Sequence, residues 1–253
     1  MNSSLPYGLT RKDLLRLGAS AGLAAIVPAA AGAALPKEAM QAPSFYRFDV
    51  GQIQVTMIFD GQSTRPVSSA LVPNAPVERV RAALGAVQLS VDTFKAPYTF
   101  VAVNTDGKLG LIDTGSDGQY LAGVDAGARS LAGAGIDRAA VDVVVLSHFH
   151  PDHVYGLTGR DGRPLYPNAE VLMPEAELAM VRDDGMIGRL ATEAFRTFAT
   201  NARTKLAAYG GRVRPYKGGD EVLPGVTAMS TPGALVHLAA GGRDSPKPPI
   251  AMR

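Results

Sequence analysis

The stretch VVVLSHFHPDHVYGL, residues 143–157, decides the reading of this chain. Three of the chain's four histidines, His148, His150 and His153, fall within six residues, with Asp152 among them. The apolar run AVDVVVLS (140–147) in front of them reads as a strand buried on both faces. It delivers His148 to the carboxyl edge of an α/β sheet, where ligands bind in open sheets of this kind. Neutral imidazole and carboxylate are good ligands for zinc and related divalent metals. His148 and His150 alternate with Phe149, so in an extended backbone both rings point the same way. Pro151 forces a bend, and Asp152 and His153 then emerge on another side of it, in position for a second metal. The loop therefore offers two pairs of ligands.

Working outward, FYRFDVGQIQVTMIFDG (45–61) alternates apolar and polar residues and predicts a hairpin turning at Gly51. Residues 62–97 carry Pro66, Pro73, Pro76 and Pro97 around one helical pattern, VERVRAALGAV, and read as a long lid-like excursion. YTFVAVNTDGKLGLIDTG (98–115) is two strands joined at Asp106-Gly107. Helices are expected over 119–134, after Pro174, and over 189–209. Short strands are expected at 169–174, in RVRPY and in VTAMS. Strands first, then helices alternating with strands, define a layered α/β architecture.

Hydrophobic residues make up 46% of the 253, enough for one sizeable core. Of 25 basic and 23 acidic residues, three and one lie in residues 1–33, so the remainder is charge-balanced and shows no nucleic-acid-binding surface. The absence of cysteine excludes disulfides, thiolate ligands and a cysteine nucleophile. LTRKDLLRLGASAGLAAIVPAAAGAA has a basic start, an apolar stretch from Leu17 to Val27, and Ala31-Gly32-Ala33 as an A-x-A cleavage site. The apolar run is too short for a stable membrane span. Residues 1–33 thus read as an export signal of twin-arginine type, with Arg11-Lys12 in place of the arginine pair, and imply a periplasmic or secreted protein. A linker follows at 34–44.

SHFHPDHVYGL resembles the H-x-H-x-D-H motif of the metallo-β-lactamase superfamily. LGLIDTG (109–115) is similar to the strand-turn that precedes it there, with Asp113 a buried supporting residue. The order of FYRFDVGQIQVTMIFDG, LIDTG, SHFHPDHVYGL, YPNAEVLMPEAE and LPGVTAMSTPG is most similar to the methyl parathion hydrolase and quorum-quenching lactonase branch, across residues 45–233. The resemblance implies an αββα sandwich and two divalent metal ions, Zn2+ above manganese, iron or cobalt. His148 and His150 would bind one metal, and Asp152 and His153 the other. A hydroxide held between the metals would attack a small-molecule ester, a lactone or an organophosphate, with Asp152 orienting it. A glyoxalase II-type thioesterase and a β-lactamase are alternatives within the same superfamily. Oligomeric state is left open.

The sequence departs from that pattern after STPG. Ala234 stands where the family places its next histidine, and His237 lies three residues on. Within the atypical tail 234–253, AAGGRDSPKPPIAMR (239–253) shows neither strand alternation nor a helical period. The expectation is a truncation or frameshift near Gly233, an incomplete second half of the sandwich, and a third reading of the chain as a non-enzymatic remnant that binds metal weakly.

Overall fold

The computed structural model describes residues 42–230 except position 73, together with the backbone of His237–Ala240 and Ile250–Ala251. The expected export signal, most of the expected linker, residues 231–236 including Ala234, and the side chain of His237 lie outside the described residues.

Seven strands form one sheet in sequential order: β1 (Phe45–Val50), β2 (Ile53–Pro66), β3 (Thr93–Thr105), β4 (Lys108–Ile112), β5 (Val143–Val145), β6 (Glu170–Pro174) and β7 (Val213–Tyr216). The first four pair antiparallel, and β4 to β7 run parallel. A second sheet takes the order β11-β10-β9-β8, from β8 (Glu221–Leu223), β9 (Val226–Met229), β10 (His237–Ala240) and β11 (Ile250–Ala251). The backbone of the tail thus adds strands where its sequence gives no alternation. Cross-strand partners, rather than local pattern, define them.

Strand alternation builds two cores. Leu111 and Val144 point toward the helices α2 (Gly127–Gly133), α4 (Glu175–Arg182), α5 (Asp184–Gly188) and α6 (Glu193–Ala207), among Leu131, Leu178, Val181, Ile187 and Leu206. Val145, Val55 and Val103 point the other way and meet Val222, Leu223 and Val226 of the second sheet. The described residues therefore give the helix–sheet–sheet layers of the expected sandwich. The run 140–147 behaves as predicted: Val144, Val145 and Leu146 are fully buried, and lone ladder bonds at Asp142 and Leu146 extend its three paired residues.

Two predicted boundaries move. Residues 62–66 and 93–97 are not loop but the continuation of β2 and β3, so the excursion is confined to 67–92, with α1 (Val77–Ala86) inside it. Pro97 pairs with Gln62 beyond the point where β4 ends opposite Val101, and at such a free strand edge proline is tolerated. Residues 119–126 are turns, because Asp117, Gly118 and Gly123 adopt positive φ, and only Gly127–Gly133 is helical.

A bulge at Asp60 ties this loop to the sheet. It turns the carboxylate inward, where it accepts the backbone N–H groups of Ser116 (2.8 Å) and Gly127 (3.1 Å). Burial, opposed by those N–H groups, pushes this carboxyl up to about 6. Gly61 is required beside it: φ is +134°, and a Cβ would lie 2.1 Å from Gly123 O. None of the described helices is long and apolar enough to cross a membrane.

Candidate metal centre

The parallel strands end at one edge, and the histidine loop lies there. β4 runs into Asp113, and β5 into Ser147 and His148. His150 is extended, Pro151 opens the four-residue helix α3 (Pro151–Val154), and Asp152 and His153 lie on that turn. The bend expected at Pro151 is thus one helical turn, which brings the second ligand pair back to the first. The rings of His148 and His150 are 4.5 Å apart between centroids, and those of His148 and His153 are 3.9 Å apart. His153 Nε2 lies 3.2 Å from Asp152 Oδ2.

Asp113 holds the arrangement from below. Its Oδ1 accepts the Ser147 N–H at 2.7 Å, and its Oδ2 accepts the Ser147 hydroxyl at 2.9 Å and the Nδ1–H of His153 at 2.7 Å. With its proton on Asp113, Ser147 Oγ is left to accept from His148 Nδ1 at 2.9 Å. The network therefore fixes both rings with Nδ1 as donor and leaves Nε2 for the site. The LIDTG turn is clamped onto the histidine loop: Thr114 N and Oγ1 both donate to His153 O, at 3.0 and 2.7 Å, and Gly156 N donates to Gly115 O at 2.9 Å. Glu177, which the sequence reading missed, accepts the Phe149 N–H between His148 and His150 at 3.3 Å. Glu177 comes from α4, 28 residues downstream, with no local signal to link it to the loop.

The charges are set by proximity. Burial alone would raise the Asp113 carboxyl, but the charge and hydrogen bond of His153 hold it below the usual range. Burial would lower His153, yet Asp113 and Asp152 push it up to about 10. Burial, helped by the His153 charge, pushes His148 down to about 3 and lowers His150 too. Asp152 is lowered, its burial outweighed by His153. In the metal-free chain a proton on His153 is thus the cation shared by two carboxylates. Its folded value lies above the unfolded value of 6.5, so the stabilisation is complete below about pH 6.5 and is lost as pH rises through about 10. Chelated protein should therefore melt at progressively lower temperature from pH 6.5 to 10, and His153→Gln should flatten that limb. A flat wild-type profile would contradict the pairing.

The donor set fits a divalent cation: neutral imidazoles at His148 and His150, an imidazole at His153 that a cation would bind with release of its proton, an ionised carboxylate beside them, and a carboxylate behind the ring. Its count is short. Among the described residues no three His, Asp or Glu side chains are gathered to hold one ion. A catalytic zinc ordinarily has three protein ligands. Here His148 with His150, and Asp152 with His153, make two pairs.

An aromatic wall flanks the loop. The His150 ring stacks on Phe195 at 5.5 Å and 5°, and Phe198, Tyr120 and Tyr155 continue the wall edge to face. Phe94 and Tyr98 are the aromatics at the end of the predicted Pro-rich excursion. Both lie on one face of β3, half-buried, where it extends past β4, and the Tyr98 hydroxyl bonds Ser63 and Arg65. The alternation of β3 made that face legible. Phe195 and Phe198 sit in a helix with no motif of their own.

A helix–sheet–sheet body with a histidine–aspartate loop at the carboxyl edge of the larger sheet defines a metallohydrolase-type scaffold. The family model of the metallo-beta-lactamase superfamily matches residues 93–237, and the chain belongs to that superfamily. The fold is similar to that of AidC, a dizinc quorum-quenching lactonase in complex with a product, N-hexanoyl-L-homoserine (TM-score 0.72, 18% identity, 79% of this chain and 71% of that one). It is also similar to the hydrolase AbOPH of the beta lactamase superfamily (TM-score 0.70, 24% identity, 81% and 72%). A probable metal-dependent hydrolase from Staphylococcus aureus follows at TM-score 0.61 and 16% identity, over 78% and 71%. No curated protein matches in sequence.

Proposed function

We propose that this chain is a metal-dependent hydrolase of ester-like small molecules, lactones or organophosphate esters. Two divalent cations, Zn2+ by ligand preference, would be held by His148 with His150 and by Asp152 with His153. The observation that carries this reading is the Asp113–Ser147 network, which presents Nε2 of His148 and His153 beside the Asp152 carboxylate. Bound there, divalent cations supply Lewis acidity and lower the pKa of water to about 7. The protein's own groups do the rest. Asp152, held ionised, accepts a hydrogen bond from the attacking water and so orients it. Asp113 and Ser147 keep the imidazoles in one tautomer throughout. Phe195, Phe198 and Tyr120 give the acyl or aryl part of the substrate an apolar seat against His150. The two related structures described as a lactonase and a hydrolase support the class of reaction. Residues 1–33 support action outside the cytoplasm.

A second reading, a remnant that binds metal weakly, is favoured by the two-ligand count at each position. Metal analysis of dialysed protein and a panel of lactone, phosphotriester, thioester and β-lactam separate the readings. Two retained equivalents with turnover of lactone or phosphotriester are expected. Full metal content with no turnover of any of the four would end the hydrolase reading. Loss of metal on dialysis would favour the remnant.

A further inference from the structure

A second polar cavity, of about 440 Å³, opens between α6 and the turn after the histidine loop. Gln119, Tyr155, Thr158, Arg160, Asn201 and Lys205 line it, and no carboxylate does. Its hydrogen bonds are unevenly matched. Lys205 Nζ donates to Gln119 Oε1 at 2.9 Å and to Thr158 Oγ1 at 3.1 Å, and an ammonium has a third N–H. The Tyr155 hydroxyl accepts from Asn201 Nδ2 at 2.8 Å, and among the described residues nothing accepts its proton. The Thr158 hydroxyl, buried, accepts from Lys205, and its proton likewise finds no acceptor. Arg160 is exposed and donates to Gly118 O, which occupies one N–H of five. Gln119 brings no counter-demand: its amide N–H groups go to Tyr155 O and Thr158 O.

Four donor groups, two of them cationic, therefore border a water-accessible space without enough acceptors. The carboxylate whose field reaches Lys205 most strongly is Asp117, itself paired with Arg138 at 2.8 Å. Burial and the Arg160 charge lower the Lys205 ammonium, and an anion between the two cations would relieve both effects. We propose that this cavity binds a small anion with several acceptor oxygens, a phosphate or a carboxylate, held by Lys205, Arg160 and the hydroxyls of Tyr155 and Thr158. Tyr155 follows His153 by two residues, and Lys205 lies 5.1 Å over its ring. An occupant would join the turn after the histidine loop to α6.

Calorimetric titration of the full chain, as purified, with inorganic phosphate and separately with succinate tests this at constant ionic strength. Saturable one-to-one binding of at least one anion is expected, and the one that binds identifies the class. Arg160→Gln, which changes an exposed side chain, should weaken it about tenfold, as should Lys205→Met, each removing one charge-assisted bond. His150→Ala should leave it unchanged, which separates this cavity from anion capture at the metal centre. Absence of saturable binding by both anions would overturn the proposal. So would binding that survives Arg160→Gln but disappears in His150→Ala.

Discussion

Asp113→Asn should lower divalent-metal affinity about 10–100-fold, the usual consequence of removing the carboxylate behind a ligating histidine. The substitution is close to isosteric, and asparagine tolerates the left-handed backbone at this position, where φ is +63°. The defect would therefore be one of hydrogen-bond polarity. The amide oxygen can still accept the Ser147 N–H, now made at 2.7 Å. The amide nitrogen then faces two donors, the Ser147 hydroxyl and His153 Nδ1, now 2.9 and 2.7 Å from Oδ2. The least costly adjustment moves the His153 proton to Nε2, which presents N–H where a metal ligand is needed. The same wrong-tautomer logic applies to serine-protease triads when their aspartate becomes asparagine. In chelated protein the variant also loses the buried ion pair, at a cost of about 3–5 kcal/mol. Its alkaline stability limb should shrink with it, because His153 keeps Asp152 but no longer has its strongest carboxylate partner. Competition with a metal-binding dye measures the affinity, and urea unfolding at pH 7 and pH 9 measures the rest. Wild-type affinity in Asp113→Asn would mean that the network does not set the tautomer.

Much of this centre is written locally. His148, His150, Asp152 and His153 lie within six residues of one loop, and a buried apolar strand in front of them fixes the sheet edge they occupy. The hairpin before LIDTG was legible from Asp106-Gly107, and LIDTG itself as a strand-turn from the resemblance to the superfamily. What was not legible depends on distance in sequence. Asp60 reaches Ser116 and Gly127 across 56 and 67 residues, through a bulge that no local pattern announces. Phe195 and Phe198 have the spacing of an ordinary core stripe, and only the fold sets them against His150. The prolines of 62–97 misled for a different reason. Pro66 and Pro97 mark loops in most settings, yet here the β2–β3 pair runs past the end of β4, and its free edge accommodates Pro97. The tail strands β10 and β11 are specified by the neighbours they pair with, not by their own composition.

Gly156→Ala should cost about 3 kcal/mol in stability and lose metal uptake with it. The added Cβ would lie 2.2 Å from Thr114 O and 3.1 Å from Gly115 O, both backbone atoms. No rotamer change can relieve that overlap, so one of the two chains must move. The same few residues carry the Gly156 N–H bond to Gly115 O and both Thr114 bonds to His153 O. Separating the turns thus withdraws Asp113 from His153 and Ser147, and the tautomer control fails through the backbone instead of through the carboxylate. The two variants should therefore share a metal defect and differ in its origin. In Gly156→Ala the stability loss persists across pH, because a steric overlap does not titrate, whereas in Asp113→Asn it shrinks as pH approaches 10 and the wild-type pair itself dissolves. Parallel urea series at pH 7 and pH 10 distinguish them. A Gly156→Ala protein with wild-type stability and full metal content would show that the LIDTG turn is not what holds the histidine loop in place.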